Sequence, residues 1–243
     1  MFGIILYWVA YSLLLLFTLN SSFRRAMHVK ANNPAQNLPA AGTLPLIQLY
    51  FEFNHLKQLY RQGWLQRGLP VEQCESVAEH SFGVAVLGLL LCDQFFPQLD
   101  ALRVMRLALL HDFGEIDAGD ITPEDALPAE EKQSRERAAV SRLFHSLPGG
   151  STYIHLWEEY ENGETPEARL VRQIDRLEMA MQASVYAFQA GLAPDEFYAS
   201  ARAALHEPAL QRLLDELTSL QPAQPYQEKR SNLQDGSAHD KTG

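Results

Sequence analysis

The 243-residue sequence is poor in cysteine and short of positive charge. Its two cysteines, Cys74 and Cys92, cannot build a disulfide framework, so a reducing compartment such as the cytoplasm is predicted. Thirty Asp and Glu against twenty Lys and Arg leave a formal charge of −10. Proteins that bind nucleic acid polymers need clustered positive charge, and this balance argues against such a partner. A small anionic ligand needs only one or two well-placed cations and is not excluded.

The body of the chain also lacks internal repeats and any run of alternating polar and apolar residues. Its apolar residues recur at helical spacing instead, so residues 47–220 are predicted to form a single all-α domain. Phe82–Cys92 carries no charge and is too short to cross a membrane, which predicts a central helix buried on all sides. Further helices are expected over Ile47–Leu65, after Asp100, over Ala129–His145 and Tyr153–Tyr160, from Thr165 to Gly191, and over Asp195–Leu205 and Pro208–Leu220.

The N-terminal segment, residues 1–26, differs from the rest of the chain. Phe2–Leu19 has no charged residue and is long enough to cross a hydrocarbon core as a helix. Basic residues follow this run rather than precede it, which is not the pattern of a secretory signal. Two interpretations stay open: an anchor that keeps the body at the cytoplasmic face of a membrane, or a true start at Met27. Residues 27–46 are predicted to be a flexible lead-in and residues 221–243 a disordered tail.

Four polar residues lie in apolar surroundings, where a plain hydrophobic core would not place them. They are His80, the pair His111 and Asp112, and Asp175. A buried imidazole or carboxylate is costly unless it is paired or bound to a metal. Two His and two Asp from three helices would satisfy one another around a divalent cation, and this mixed set suits Mn, Fe, Co, Ni or Zn rather than Ca or Mg. Each residue alone has an ordinary structural explanation, so the prediction depends on their combination.

The strings around these residues resemble a known family. The order His80, His111-Asp112, Asp175 in a helical chain resembles the HD superfamily of metal-dependent phosphohydrolases. SVAEHS at 76–81, ALLHDFGE at 108–115, GDITP at 119–123 and QIDRLEMA at 173–180 are similar to its 5′-deoxynucleotidase branch, and most to the HD-domain-containing protein 2 group. The likeness extends over roughly residues 47–205.

The resemblance implies an HD-domain helical bundle that hydrolyses (deoxy)nucleoside 5′-monophosphates with a metal-activated water. It implies four metal ligands, namely His80, His111, Asp112 and Asp175. It also implies two catalytic residues: Glu115, which would move a proton from the end of the same helix as Asp112, and Asp120, a second acidic residue of the pocket.

Two substrate-binding residues are implied by the same resemblance. Arg67 would bind the phosphate, because a guanidinium fits a phosphate bidentately. Trp64 would pack against the sugar, although an ordinary hydrophobic anchor explains this residue equally well.

Other functions stay open at this point. Another HD activity, a cyclic-nucleotide or alarmone phosphodiesterase, is one alternative, and a helical scaffold with a structural metal is another. Two-metal HD enzymes need extra histidines before the last Asp, and His145 and His155 fall there, but neither lies in a context that indicates burial. The native metal, the base preference and the formation of a homodimer are not determined by the sequence.

Overall fold

The computed structural model describes residues 27–39 and 42–220, and the regular structure of this part is helical. Its α-helices, in chain order, are α1 Pro45–Phe53, α2 Gln62–Gln66, α3 Val77–Phe95, α4 Ala101–Leu110, α5 Glu115–Ala118, α6 Ala129–Phe144, α7 Gly150–Asn162, α8 Pro166–Ala190, α9 Asp195–Ala204 and α10 Pro208–Ser219. Short 3-10 turns occur at Pro34–Asn37, Asn54–Lys57, His111–Gly114 and Pro123–Asp125. No β-strand occurs within the described residues, so the predicted all-α fold is confirmed. The apolar segment at 2–19 and the tail at 221–243 lie outside them.

Local capping signals set the helix ends where the sequence predicts them. The Thr165 side chain accepts a hydrogen bond from the backbone N–H of Ala168 at 3.1 Å, and Pro166 occupies the first turn of α8. Gly191, with φ +72°, ends this helix in the left-handed conformation that glycine tolerates best. Asp100 caps α4 in the same way as Thr165 caps α8, at 3.1 Å from the N–H of Arg103.

The single helix predicted over Ile47–Leu65 is wrong in its second half. Helix α1 ends at Phe53, and the chain is extended between the following 3-10 turn and α2. There Tyr60 forms an isolated bridge with Ser76, and Leu59 O accepts from the N–H of Val77 at 3.0 Å. Pairing with the segment before α3 therefore replaces the helical hydrogen bonds that the local pattern favours.

The apolar stretch inside α3 is not buried on all sides, contrary to prediction. Phe82, Val86 and Leu90 are 67%, 39% and 47% exposed, and their four-residue spacing places them on one face. Helices α4 and α8 cover the opposite face of α3, on which Val84 and Leu91 are buried. No helix within the described ranges is long and apolar enough to cross a membrane.

The main core forms where α3, α4 and α8 meet. Val84, Val104 and Ile174 come one from each helix and are fully buried. Helices α3 and α4 cross closely at Gly88, where a Cβ would lie 2.9 Å from Cγ1 of Val104. Helices α3 and α8 and the turn that follows α4 contribute the cluster of polar residues at the adjoining end of the core.

The start of the described chain is attached to this body. The N–H of Lys30 donates to Gln58 O at 2.7 Å, and Asn33 Nδ2 donates to Glu52 Oε2 at 3.0 Å. This segment, predicted to be a flexible lead-in, thus has fixed contacts with α1 and the turn that follows it.

Candidate metal centre and active site

His80 lies one turn inside α3, with no solvent exposure. A capping box between Ser76 and Glu79 fixes this end of the helix. The His80 ring has a carboxylate at each nitrogen: Asp175 Oδ1 is 3.1 Å from Nε2, and Glu178 Oε2 is 2.6 Å from Nδ1. Burial and Arg61 oppose its charged form, but these two carboxylates raise the pKa of His80 well above its ordinary value.

His111 and Asp112 lie where α4 gives way to the 3-10 turn. His111 Nδ1 is 2.6 Å from the carbonyl oxygen of Ala108, which can only accept, so the Nδ1–H donates to it. The Nε2 lone pair then faces Asp112 Oδ2 at 3.1 Å. Trp157 fixes the backbone here, since its Nε1 donates to His111 O at 3.1 Å. Two buried acceptors are thus brought face to face.

This pair of acceptors fits a cation. His111 Nε2 and Asp112 Oδ2 are buried and lack hydrogen-bond partners, and two lone pairs so close repel each other unless a positive charge lies between them. Ligand atoms of His80, His111 and Asp112 lie within 4.8 Å of one another. Asp175 reaches the same place through its contact with His80 and is 9% exposed. The structure therefore brings together all four residues predicted as metal ligands.

The two Asp side chains of this cluster favour their ionised form. Burial alone would raise the pKa of Asp112, but His111, when a proton lies on its Nε2, and Arg61 lower it well below its ordinary range. Burial likewise opposes ionisation of Asp175, and its hydrogen bond to His80 outweighs burial and lowers the pKa. Ionised carboxylates beside imidazoles form a donor set typical of transition-metal sites.

Glu115 lies beside this cluster, but not at the end of the helix that was predicted. It follows the 3-10 turn His111–Gly114 directly and is the first residue of the separate short helix α5. The side chain is buried, and its Oε2 has no hydrogen-bond partner. Burial raises the pKa of Glu115 well above its ordinary value, and the carboxylates of Asp112 and Asp120 raise it further. Such a carboxyl group can carry a proton at neutral pH.

Asp120 follows a turn at Gly119, whose φ of +81° is in the region that favours glycine. One oxygen of Asp120 accepts from Arg61 Nη1 at 3.0 Å, and the other accepts from the backbone N–H of Gln62. Asp120 is thereby held at the same end of the core as Glu115.

Arg61 is a site residue that the sequence reasoning missed. Its Nη1 lies 3.0 Å from Asp120, 3.7 Å from Asp112 and 3.8 Å from Glu115. These carboxylates overcome the effect of burial and raise the pKa of Arg61. The prediction of an unbroken helix over 47–65 hid this residue, because an arginine on such a helix is expected to face solvent. The sequence signal that could have identified Arg61 is the string Arg61-Gln62-Gly63-Trp64, which places an arginine three residues before a predicted substrate-binding residue.

Lys132 is a second cation near the site that was not predicted. Its Nζ donates to Ile121 O at 3.2 Å and lies 3.6 Å from Glu136 Oε1. Burial opposes its charge, but Glu136, Glu115 and further carboxylates of the cluster raise the pKa of Lys132. The sequence alone predicts that α6 is a charged helix, and it assigns no functional residue to this helix.

The two residues predicted to bind substrate have other partners. Arg67 forms a bidentate ion pair with Glu196, and its Nη2 lies 3.0 Å from Glu124. Trp64 is 2% exposed and packs against Phe197, with ring centroids 4.3 Å apart. Its Nε1 donates to Glu75 at 2.8 Å. In this structure Trp64 packs as a hydrophobic anchor and Arg67 forms ion pairs, and the predicted roles of both in substrate binding stay predictions.

His145 and His155, the histidines that a two-metal form would need, do not join the cluster. Both are exposed, and His155 lies beside Glu158 at 3.3 Å on the surface of α7.

An all-helical domain that brings two His, two Asp and an adjacent buried Glu together at one end of its core is typical of a metal-dependent hydrolase. Comparison with known proteins supports this class and identifies the family. The HD domain family model matches residues 53–217, and the chain belongs to this family.

Relatives of this chain span most of its length. It is similar to the 5′-deoxynucleotidase HDDC2 of Bos taurus, with 36% identity over 190 residues, 76% of this chain and 90% of that protein. The protein of the same name from Homo sapiens is 36% identical over 181 residues, covering 72% and 86% of the two chains. Among solved structures, a "Predicted metal-dependent phosphohydrolase" from Magnetospirillum magnetotacticum is 30% identical, with a TM-score of 0.55 and coverage of 72% and 94%.

Proposed function

We propose that this chain is a metal-dependent 5′-nucleotidase that removes the phosphate from (deoxy)nucleoside 5′-monophosphates. One observation supports this most directly: the unpartnered acceptors of His111 and Asp112 face each other near the buried carboxyl group of Glu115, whose Oε2 has no hydrogen-bond partner. A cation-binding pair next to a proton carrier is what hydrolysis of a phosphomonoester requires. The activity named for the Bos taurus and Homo sapiens relatives supports the nucleotide as the substrate.

His80, His111, Asp112 and Asp175 would hold the divalent cation, and their mixed nitrogen and oxygen atoms suit Mn, Fe, Co, Ni or Zn. When bound, such a cation screens phosphoryl oxygens and lowers the pKa of a water ligand toward about 7. A metal held by these residues would also bind a water and a phosphate oxygen of the substrate.

The chain's own residues supply the remaining steps. Arg61 faces the three carboxylates at the site and can turn its guanidinium toward a phosphate, which it fits bidentately. Lys132 adds a second positive charge near the same place. Glu115, whose pKa burial and neighbouring carboxylates raise, would give a proton to the 5′-oxygen as the phosphate departs. Asp120 orients Arg61 through their 3.0 Å contact.

Phosphate release from a panel of substrates tests this function. The chelated protein is given Mn²⁺ or Co²⁺ and then deoxy- and ribonucleoside 5′-monophosphates, with cyclic and pyrophosphorylated nucleotides in parallel. We expect release from the 5′-monophosphates, and a Glu115→Gln variant that binds the metal normally but turns over about 10²–10⁴-fold more slowly. Release only from cyclic or pyrophosphorylated nucleotides would instead identify an HD phosphodiesterase. Metal binding without release from any nucleotide would identify a structural site.

A further inference from the structure

The His80 ring is held from both sides by one helix face. Asp175 and Glu178 are three residues apart on α8 and therefore project from neighbouring turns on the same side. Asp175 Oδ1 reaches Nε2, and Glu178 Oε2 reaches Nδ1 at 2.6 Å. The ring cannot rotate without breaking one of these contacts.

The contact with Glu178 decides which nitrogen can bind a metal. A ligating imidazole must offer a lone pair at one nitrogen and carries its proton at the other. A carboxylate accepts hydrogen bonds, so Glu178 holds a proton of His80 on Nδ1. The nitrogen that can offer a lone pair to a metal is then Nε2, which contacts Asp175 in this structure. The Ala108 carbonyl does the same for His111.

We propose that Glu178 is a positioning residue: it does not touch the metal but orients His80 for binding through Nε2. The inference rests on the proposed metal site of this enzyme and adds a fifth side chain on which the site depends. An anionic partner behind the imidazole also increases the electron density at the ligating nitrogen.

The side chain of Glu178 is buried and closely packed against α3. Its side chain is 7% exposed, and it separates His80 from a surface cavity of about 510 Å³ that Glu72 and Gln182 also line. Gly83 faces it from α3, where a Cβ would lie only 2.5 Å from Glu178 Oε1. Any larger residue at position 83 would displace the carboxylate that holds His80.

Mn²⁺ affinity, measured on chelated protein by the loss of the free-ion EPR signal, tests the proposal. We expect the dissociation constant to rise about 10-fold in Glu178→Gln, which keeps the size but loses the charge, and up to about 100-fold in Glu178→Ala. Gly83→Ala, which leaves the carboxylate in the chain but moves it, is expected to weaken binding as well. Glu72→Gln makes the same charge change at an exposed wall of the same cavity and should alter affinity less than about 3-fold.

Urea unfolding of the metal-free variants separates positioning from a merely structural role. Glu178→Gln is expected to unfold like wild type while binding Mn²⁺ more weakly. Should Glu178→Ala not fold, Glu178→Gln and Gly83→Ala decide the matter. Wild-type affinity in Glu178→Gln, or an equal loss in Glu72→Gln, would overturn the proposal. The readout is binding, so a protein whose Mn²⁺ affinity depends on Glu178 but that releases no phosphate would refute the proposed function alone.

Discussion

Arg61 and Arg67 are six residues apart and have different surroundings. The three carboxylates around Arg61 belong to the candidate active site, whereas Glu196 and Glu124 beside Arg67 are about half exposed. Exposed ion pairs contribute little to stability, about 0–1 kcal/mol. The guanidinium of Arg61 is only 15% exposed and has a larger effect, because little solvent screens its charge.

Kinetics of Arg61→Ala and Arg67→Ala can therefore assign the phosphate-binding arginine. Loss of Arg61 is expected to lower kcat/KM about 10²–10³-fold, since a donor to the developing phosphate charge is removed. Mn²⁺ affinity should not fall, because a positive charge beside the ligands is lost. Arg67→Ala should keep kcat/KM within about 3-fold. A larger loss of kcat/KM in Arg67→Ala than in Arg61→Ala would identify Arg67 as the phosphate-binding arginine.

The buried carboxyl group of Glu136 is expected to make the stability of the protein depend on pH. It packs on α6 beside Lys132, and burial raises its pKa to about 7, from an ordinary value of 4.5. The folded protein then binds more protons than the unfolded chain between these two values, so this residue makes stability fall as pH rises through that window.

Glu136→Gln does not titrate and removes this effect. Relative to wild type, the free energy of unfolding of the chelated variant should increase by up to about 3 kcal/mol between pH 5 and pH 8. Urea unfolding at the two pH values measures the change. Glu130→Gln, the same replacement at an exposed position of α6, is the control. An identical pH profile in Glu136→Gln and wild type would contradict the account.

At the scale of elements, the 3-10 turn His111–Gly114 depends on close packing against α6. A Cβ on Gly114 would lie 2.5 Å from Cβ and 3.0 Å from Cα of Glu136, so no ordinary side chain fits without moving the turn. The turn carries both His111 and Asp112. Packing between these two elements is thus coupled to the geometry of the metal ligands.

Gly114→Ala should accordingly weaken both stability and metal binding. We expect a loss of about 1–3 kcal/mol from overpacking, together with a measurable rise in the Mn²⁺ dissociation constant. Gly63→Ala in α2 is the matched control, because no atom lies within 4 Å of its Cβ position. Thermal unfolding and Mn²⁺ titration check both variants. Unchanged Mn²⁺ affinity in a destabilised Gly114→Ala would show that the turn does not set the site.

Helix ends were predictable where the signal is local. The Thr165-Pro166 start, the Gly191 end and the Asp100 cap depend on a few adjacent residues, and the structure has them as expected. The break after Phe53 was not predictable in this way. It depends on pairing between Tyr60 and Ser76, which are distant in sequence, and no local pattern carries that information.

At the scale of the whole molecule, the sequence predicted the residues that converge but not those that balance their charge. His80, His111, Asp112 and Asp175 stand out because polar residues in apolar helices are unusual, and the fold brings them together. Arg61 and Lys132 lie in segments where charged residues are ordinary. Their role comes from the packing of α2 and α6 against the site, which only the three-dimensional structure shows.

Part of the acidity behind the net charge of −10 is concentrated at one end of the core. Four acidic residues converge at one end of the core against two nearby cations, a balance that a divalent cation would improve. They are Asp112, Glu115, Asp120 and Asp175. The acidity that argues against a polynucleotide partner is thus partly concentrated where a small phosphomonoester would meet a metal.

The measurement that tests this account most directly is phosphate release from a deoxynucleoside 5′-monophosphate, before and after Mn²⁺ is restored to the chelated protein. The account predicts that release is absent without metal and returns with it in wild type. In Asp112→Ala, which lacks one of the two facing acceptors, it should not return. Equal release by Asp112→Ala and wild type, or release that survives complete chelation, would contradict the claim that these residues form the catalytic metal site.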